Sequence, residues 1–226
     1  MMVVRNERLR RFLRFALPFC VIPAVVALGV LGGEKYYAIV ILIITIITLL
    51  LFAAGFEKKR TGTRRLVLCA VLTALSVAGR FIPVFKPVTA MVTLTGVYLG
   101  GESGFLVGAM SAVISNFYFG QGPWTPFQML AWGLIGLFAG LLGRWLKKSR
   151  VLLGGYGVLS GIAFSLAMDI WSLLWMGSGN AGGYLSLIKT ALPFTAIYCV
   201  SNVVFLLLIA PGFGKKLERI NTKYGI

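Results

Sequence analysis

Apolar residues in this chain fall in long, nearly uninterrupted runs, without the period-two alternation of half-buried strands. Runs of this length and purity belong in a bilayer, where only helices and closed barrels satisfy their backbone groups. Continuous runs select helices. The first helix is predicted from about Phe12 to Leu31, kinked at Pro18 and Pro23, and the second runs from the Gly32-Gly33-Glu34-Lys35 turn to about Phe56. The basic stretch from Glu57 to Arg65 reads as a linker. It divides a hairpin-and-linker unit, 1–63, from a core, 64–226.

Within the core, Leu66 to Ile82 forms a helix ending before Pro83, and Pro87 opens another that reaches Gly100-Gly101-Glu102. A further helix covers Gly104 to Phe119, and the next runs from Pro126 to about Leu146. The last two are predicted from Leu152 to Met176 and from about Tyr184 to Ala210, with Pro211-Gly212 as a stop. Segments 88–101 and 104–119 are shorter than the roughly 20 residues that cross a bilayer. Two short tilted spans are favoured there over a re-entrant hairpin. The expected fold is an all-α, polytopic integral membrane bundle of about eight helices, two plus six, with both termini cytoplasmic.

Composition agrees. Of 226 residues 58% are hydrophobic, and only 12% are charged, about half the share of a soluble domain. Eighteen of the 22 Lys and Arg lie in four short patches: Arg5 to Arg14, Lys58 to Arg65, Arg144 to Arg150, and Lys215 to Lys223. The predicted spans put all four patches on one side, as the positive-inside rule requires. The net charge of +16 therefore reports topology and contact with anionic lipids, not nucleic-acid binding. The basic start and following apolar run lack a small-residue cleavage site, so they read as a retained first helix. The expected location is the cell (cytoplasmic) membrane.

The chain has no histidine, which removes the commonest general base and metal ligand. Cys20, Cys69 and Cys199 are isolated, so neither a disulfide framework nor a zinc site is expected. No P-loop is present, and no nucleophile–base pair can be assembled. The reading is a non-enzyme without cofactor. Any transport must borrow its energy from another subunit or use none.

The chemistry concentrates between Ser115 and Trp132, a polar, aromatic, Gly/Pro-rich turn between two apolar helices. Asn116, Gln121, Trp124, Thr125, Gln128 and Trp132 are the candidate ligand contacts. Buried amides need partners; a ligand would supply them, and so would helix capping and inter-helix hydrogen bonds. Arg80 and Lys86 flank Phe81 to Phe85 on the predicted outer side, where cations are scarce, and suit an anionic or polar ligand or simple snorkelling. Asp169 lies within an apolar helix, which by default marks a functional site, although a structural ion pair is the competing account. Trp171 joins the candidates, whereas Trp175 reads as an interfacial belt residue and Asn202 as structural.

Ala70, Ala74 and Ala78 recur every fourth residue, and Gly100, Gly104 and Gly108, like Gly136 and Gly140, share that spacing. Small residues on one face let helices approach closely in lipid. The alanine stripe is either internal packing or a docking face for a partner.

Together, Ala70-x-x-x-Ala74, Gly79-Arg80, Lys86 to Ala90, Gly104 to Gly108, Ser115-Asn116-Phe117 and Gly120 to Met129 resemble the S components of energy-coupling factor (ECF) transporters. The resemblance spans roughly Arg64 to Lys216, and the Gly120–Pro126 block looks closest to the cobalamin-type branch. It implies a six-helix substrate-binding subunit that docks on a T component through the helix of Ala70 and Ala74, powered by two ATPase subunits and toppling to deliver its vitamin. It places the substrate site in the loops around Arg80–Lys86, Phe119–Phe127 and Gly177–Gly183. The hairpin Phe12–Phe56 departs from the family pattern. Uptake of a vitamin, cobalamin or a precursor favoured, is thus the expected function. A non-transporting membrane assembly or interaction protein is the alternative.

Overall fold

The computed structural model describes residues 7–54, 59–175 and 181–224, and among these every regular element is helical. The chain is a polytopic membrane helical bundle. Helix α1 (Glu7–Ala16) passes through a π-helical turn, Leu17–Val21, into α2 (Ile22–Gly32). Pro18 sits in that turn, which gives the expected kink a form: a wider turn admits a residue without an N–H. Gly33, at φ +82°, reverses the chain into α3 (Tyr37–Ala54).

Helix α4 (Lys59–Gly79) begins earlier than its apolar run. The basic segment expected to be a linker is thus helical from Lys59 on, because the good helix formers Lys and Arg flank the short Thr61-Gly62-Thr63 stretch on both sides. Glu57 and Lys58 lie outside the described residues. After α4, Pro83 and Pro87 force an extended turn in which Val84 adopts φ +62°. Such a conformation is rare and costly for a β-branched side chain. Helices α5 (Val88–Leu99), α6 (Gly101–Phe119), α7 (Thr125–Leu141) and α8 (Gly143–Lys148) follow, then α9 (Arg150–Trp175) and α10 (Ala181–Ile209). Pro211 does not stop the chain as expected. It sits in a second π-helical turn, Ala210–Gly214, and α11 (Lys215–Tyr224) continues beyond it.

Among the described residues, three helical stretches are long and apolar enough to cross a membrane: Phe12–Gly32, Arg150–Trp175 and Ala181–Ile220. Helix α5 has 12 residues, about 18 Å at 1.5 Å per residue, and nearly all of them are buried. It is the central helix, wrapped by α4, α6, α7 and α10, so its threonines never meet lipid. The α5–α6 corner at Gly100 (φ +92°) lies beside the start of α4: Arg65 Nε donates to Ser103 Oγ at 2.7 Å, and the Arg65 guanidinium caps the Leu99 carbonyl. At the far end of the same helices Arg80 meets Ser115 and Asn116. The pair α5 and α6 therefore lies along α4 between Arg65 and Arg80.

Glycines set the closest approaches. A Cβ on Gly136 would lie 2.3 Å from the backbone of Gly104, and one on Gly108 would lie 2.4 Å from the Trp132 carbonyl. Gly136→Val should thus force α6 and α7 apart, at about 1–3 kcal/mol. The check is a thermal melt in detergent, and an unchanged midpoint would refute this account of the seam.

The hairpin packs on α6 and α7. At one end Arg14 Nε pairs with Glu102 Oε1 at 2.9 Å. That is also the end of Arg65, and of Lys147, which faces the Tyr98 ring at 4.9 Å and Glu218 of α11 at 3.9 Å. Arg14, Arg65 and Lys147, from three of the basic patches, and α11, which carries the fourth, thus gather at one end of the bundle. The polar-aromatic loop lies at the other.

Candidate functional site

At that second end, three helix termini converge. Arg80 directly follows the last turn of α4, the last turns of α6 deliver Ser115 and Asn116, and the first turns of α7 deliver Thr125, Gln128 and Trp132. Gly120, at φ +99°, ends α6 and lets the chain double back, while Pro126 occupies the first turn of α7, where its missing N–H costs nothing.

The buried amides satisfy one another. Asn116 Nδ2 donates to Thr125 Oγ1 and to Gln128 Oε1, each at 2.8 Å, and Asn116 Oδ1 accepts from Arg80 Nη1. Thr125 Oγ1 donates to Gln121 Oε1 at 3.0 Å, and Gln121 Nε2 donates to the Val113 carbonyl at 2.7 Å. Of the two readings open for this group, inter-helix hydrogen bonding accounts for these contacts. Asn116, Thr125 and Gln128, at 1%, 0% and 8% exposure, act as a platform that fixes Arg80.

Arg80 has donors to spare, since a guanidinium carries five N–H groups and its Nη1 serves both Ser115 Oγ and Asn116 Oδ1. Its Cζ lies 4.8 Å from the Phe119 ring centroid and 5.5 Å from that of Trp132. Lys86 is exposed, with Nζ 5.8 Å from the Phe119 ring. The two cations share one ring, and Lys86 stays outside the amide network.

Trp132 Nε1 and Asp169 Oδ2 are among the buried side-chain polar atoms that have no hydrogen-bond partner among the described residues. Such atoms are rare in folded proteins and call for an explanation. Asp169 lies on the buried face of α9 with Gly157, Ser160, Gly161, Phe164 and Ser165. No cation pairs with it among the described residues, so the ion-pair account finds no support there. Phe164 stacks on Trp132 at 4.9 Å and 9°, and Tyr198 of α10 meets Phe164 edge-on at 5.6 Å. Tyr198 is within electrostatic reach of both Arg80 and Asp169. The result is an aromatic wall with a cation beside it and a carboxylate below. A planar, heteroatom-bearing ligand fits that chemistry: rings stack on rings, and the orphaned N–H, the carboxylate and the spare guanidinium donors meet polar edges.

Nearer the loop, Trp124 meets Trp171 edge-on at 5.8 Å, and Trp171 stacks with Trp175 at 5.9 Å and 21°. Trp124 and Trp171 therefore belong to one aromatic cluster. Of the third loop expected at the site, Gly177–Gly183, residues 177–180 lie outside the described residues and 181–183 form the start of α10. Phe164 and Tyr198 were not among the sequence candidates. Their signal is faint: Phe164 is the one large residue in the small-residue stripe Gly157, Ser160, Gly161 and Ser165.

Ala70, Ala74 and Ala78 are exposed. They line an apolar groove of about 530 Å³ with Leu49, Leu66, Leu106 and Met110. Glycines provide the tight contacts of α6 and α7, and the alanines face outward.

A family model described as "ECF-type riboflavin transporter, S component" matches residues 60–219, from the start of α4 into α11 and without the hairpin. The matching description is of the riboflavin type, whereas the Gly120–Pro126 block looked closest to the cobalamin branch. No curated protein and no solved structure matches the chain.

Proposed function

Because the chain belongs to the family of ECF-type riboflavin transporter S components, we propose that it binds a flavin-type vitamin, riboflavin itself or a close relative, against the Trp132–Phe164 wall. The family is one of vitamin-uptake subunits, not of enzymes. The observation that carries the ligand assignment is the pair of orphaned polar atoms, Trp132 Nε1 and Asp169 Oδ2, beside stacked rings and a clamped Arg80. A flavin offers a flat three-ring surface and, at one end, carbonyl and imide groups that match those donors and acceptors. A corrin, the ligand class of the cobalamin branch, is much bulkier and is the competing ligand.

The basic end faces the cytoplasm, so the site opens outward, both termini lie inside and the chain sits in the cytoplasmic membrane. The exposed alanines receive the T component, and two ATPase subunits supply the energy. Tracer uptake in cells that cannot make riboflavin tests this reading. Uptake is expected when the chain is expressed with T and ATPase subunits and lost when either is omitted. Uptake that is indifferent to those subunits, or absent despite membrane insertion of all of them, would favour the non-transporting alternative.

A further inference from the structure

The N-terminal hairpin falls outside the family match, yet it closes a cavity at the aromatic end. The cavity, about 100 Å³, lies between Val30 and Tyr37 of the hairpin, Pro123 and Phe127 at the start of α7, and Trp171 and Trp175 at the end of α9. Every side chain just named is apolar or aromatic. An apolar cavity of about 150 Å³ stays dry and takes one benzene ring, so this smaller one has room for the edge of a six-membered ring. It shares helix α9 with the ligand wall. Trp171 borders it, and Phe164 stands seven residues earlier on α9, about 10 Å away along the helix. Three fused rings match that length.

We propose that the hairpin is part of the binding site and that this cavity takes the apolar benzenoid edge of the ligand. The polar end then lies at Trp132, Arg80 and Asp169. The proposal rests on the flavin-type reading and adds to it a specificity wall that the matched core lacks. The hairpin is held for this role at its other end by the Arg14–Glu102 pair. A bulky or methylated ring edge is selected by contact with Val30 and Tyr37, because one methyl in an apolar pocket shifts affinity by about tenfold or more.

The test uses the full chain in detergent, titrated by fluorescence with riboflavin and with the analogue lacking its two ring methyl groups. Val30→Trp, which fills the cavity, is expected to weaken riboflavin by about tenfold or more and to reduce the preference for it over the demethylated analogue. Tyr37→Ala, which opens the cavity and needs no repacking, is expected to reduce that preference in the same way. Thermal melts of both variants show whether each folds. Wild-type affinity and preference in both variants overturn the proposal and leave the flavin-type reading standing. Release of a co-purified phospholipid by Val30→Trp, with riboflavin binding unchanged, makes the cavity a lipid site and also overturns it. Failure of the wild-type chain to bind either compound overturns reading and proposal together.

Discussion

Ala74→Trp is expected to abolish vitamin uptake and to leave ligand binding at the wild-type level. Ala74 is exposed at the middle of the stripe formed with Ala70 and Ala78, on the wall of a groove of about 530 Å³. An indole there fills space that a partner helix needs for close backbone approach, and small residues are what permit such approach in lipid. The substitution touches neither Arg80 nor the aromatic wall. Binding by the isolated chain should therefore stay within about twofold, the usual effect of an exposed substitution. Uptake assays and titration of the purified variant separate the two properties. Equal loss of both would place the stripe in internal packing, and loss of neither would exclude it from docking.

Arg80→Ala is expected to weaken ligand binding by about 10- to 100-fold. A hydrogen bond from a charged group is worth about 1.5–3 kcal/mol, and tenfold in affinity corresponds to about 1.4 kcal/mol. The guanidinium also satisfies Asn116 Oδ1 and Ser115 Oγ. Its removal leaves buried acceptors unpaired, so the melting temperature should fall as well. Arg80→Lys restores charge without the planar fork and should recover stability more fully than affinity. Titration of all three forms checks this, and wild-type affinity in Arg80→Ala would remove the residue from the site.

The helices were largely legible in the sequence because a bilayer leaves few alternatives: a long apolar run must become a helix. Boundaries were less legible where chain chemistry and solvent disagree. Lys59 to Arg65 reads as a polar linker but is helical, since charged residues extend a helix beyond the apolar run that starts it. Pro211 reads as a stop, but a π-helical turn accommodates it. The site was half legible. Asn116, Thr125 and Gln128 stand out as polar residues in apolar surroundings, yet no sequence pattern says that they bond one another. Phe164 and Tyr198 reach the wall from helices distant in sequence, and aromatic residues in apolar helices are too common to single out. The alanine and glycine stripes share one spacing. Their opposite roles, outward face and inner seam, exist only once the helices are packed.

The central claim is that this chain alone holds a flavin-type vitamin. The most direct measurement is the visible absorption spectrum of the detergent-purified protein after incubation with riboflavin and removal of free ligand by gel filtration, without ATP or partner subunits. The account predicts that flavin absorbance co-elutes with the protein at one per chain and is lost in Arg80→Ala. A folded protein that elutes without flavin, or that retains a corrinoid in its place, would contradict it.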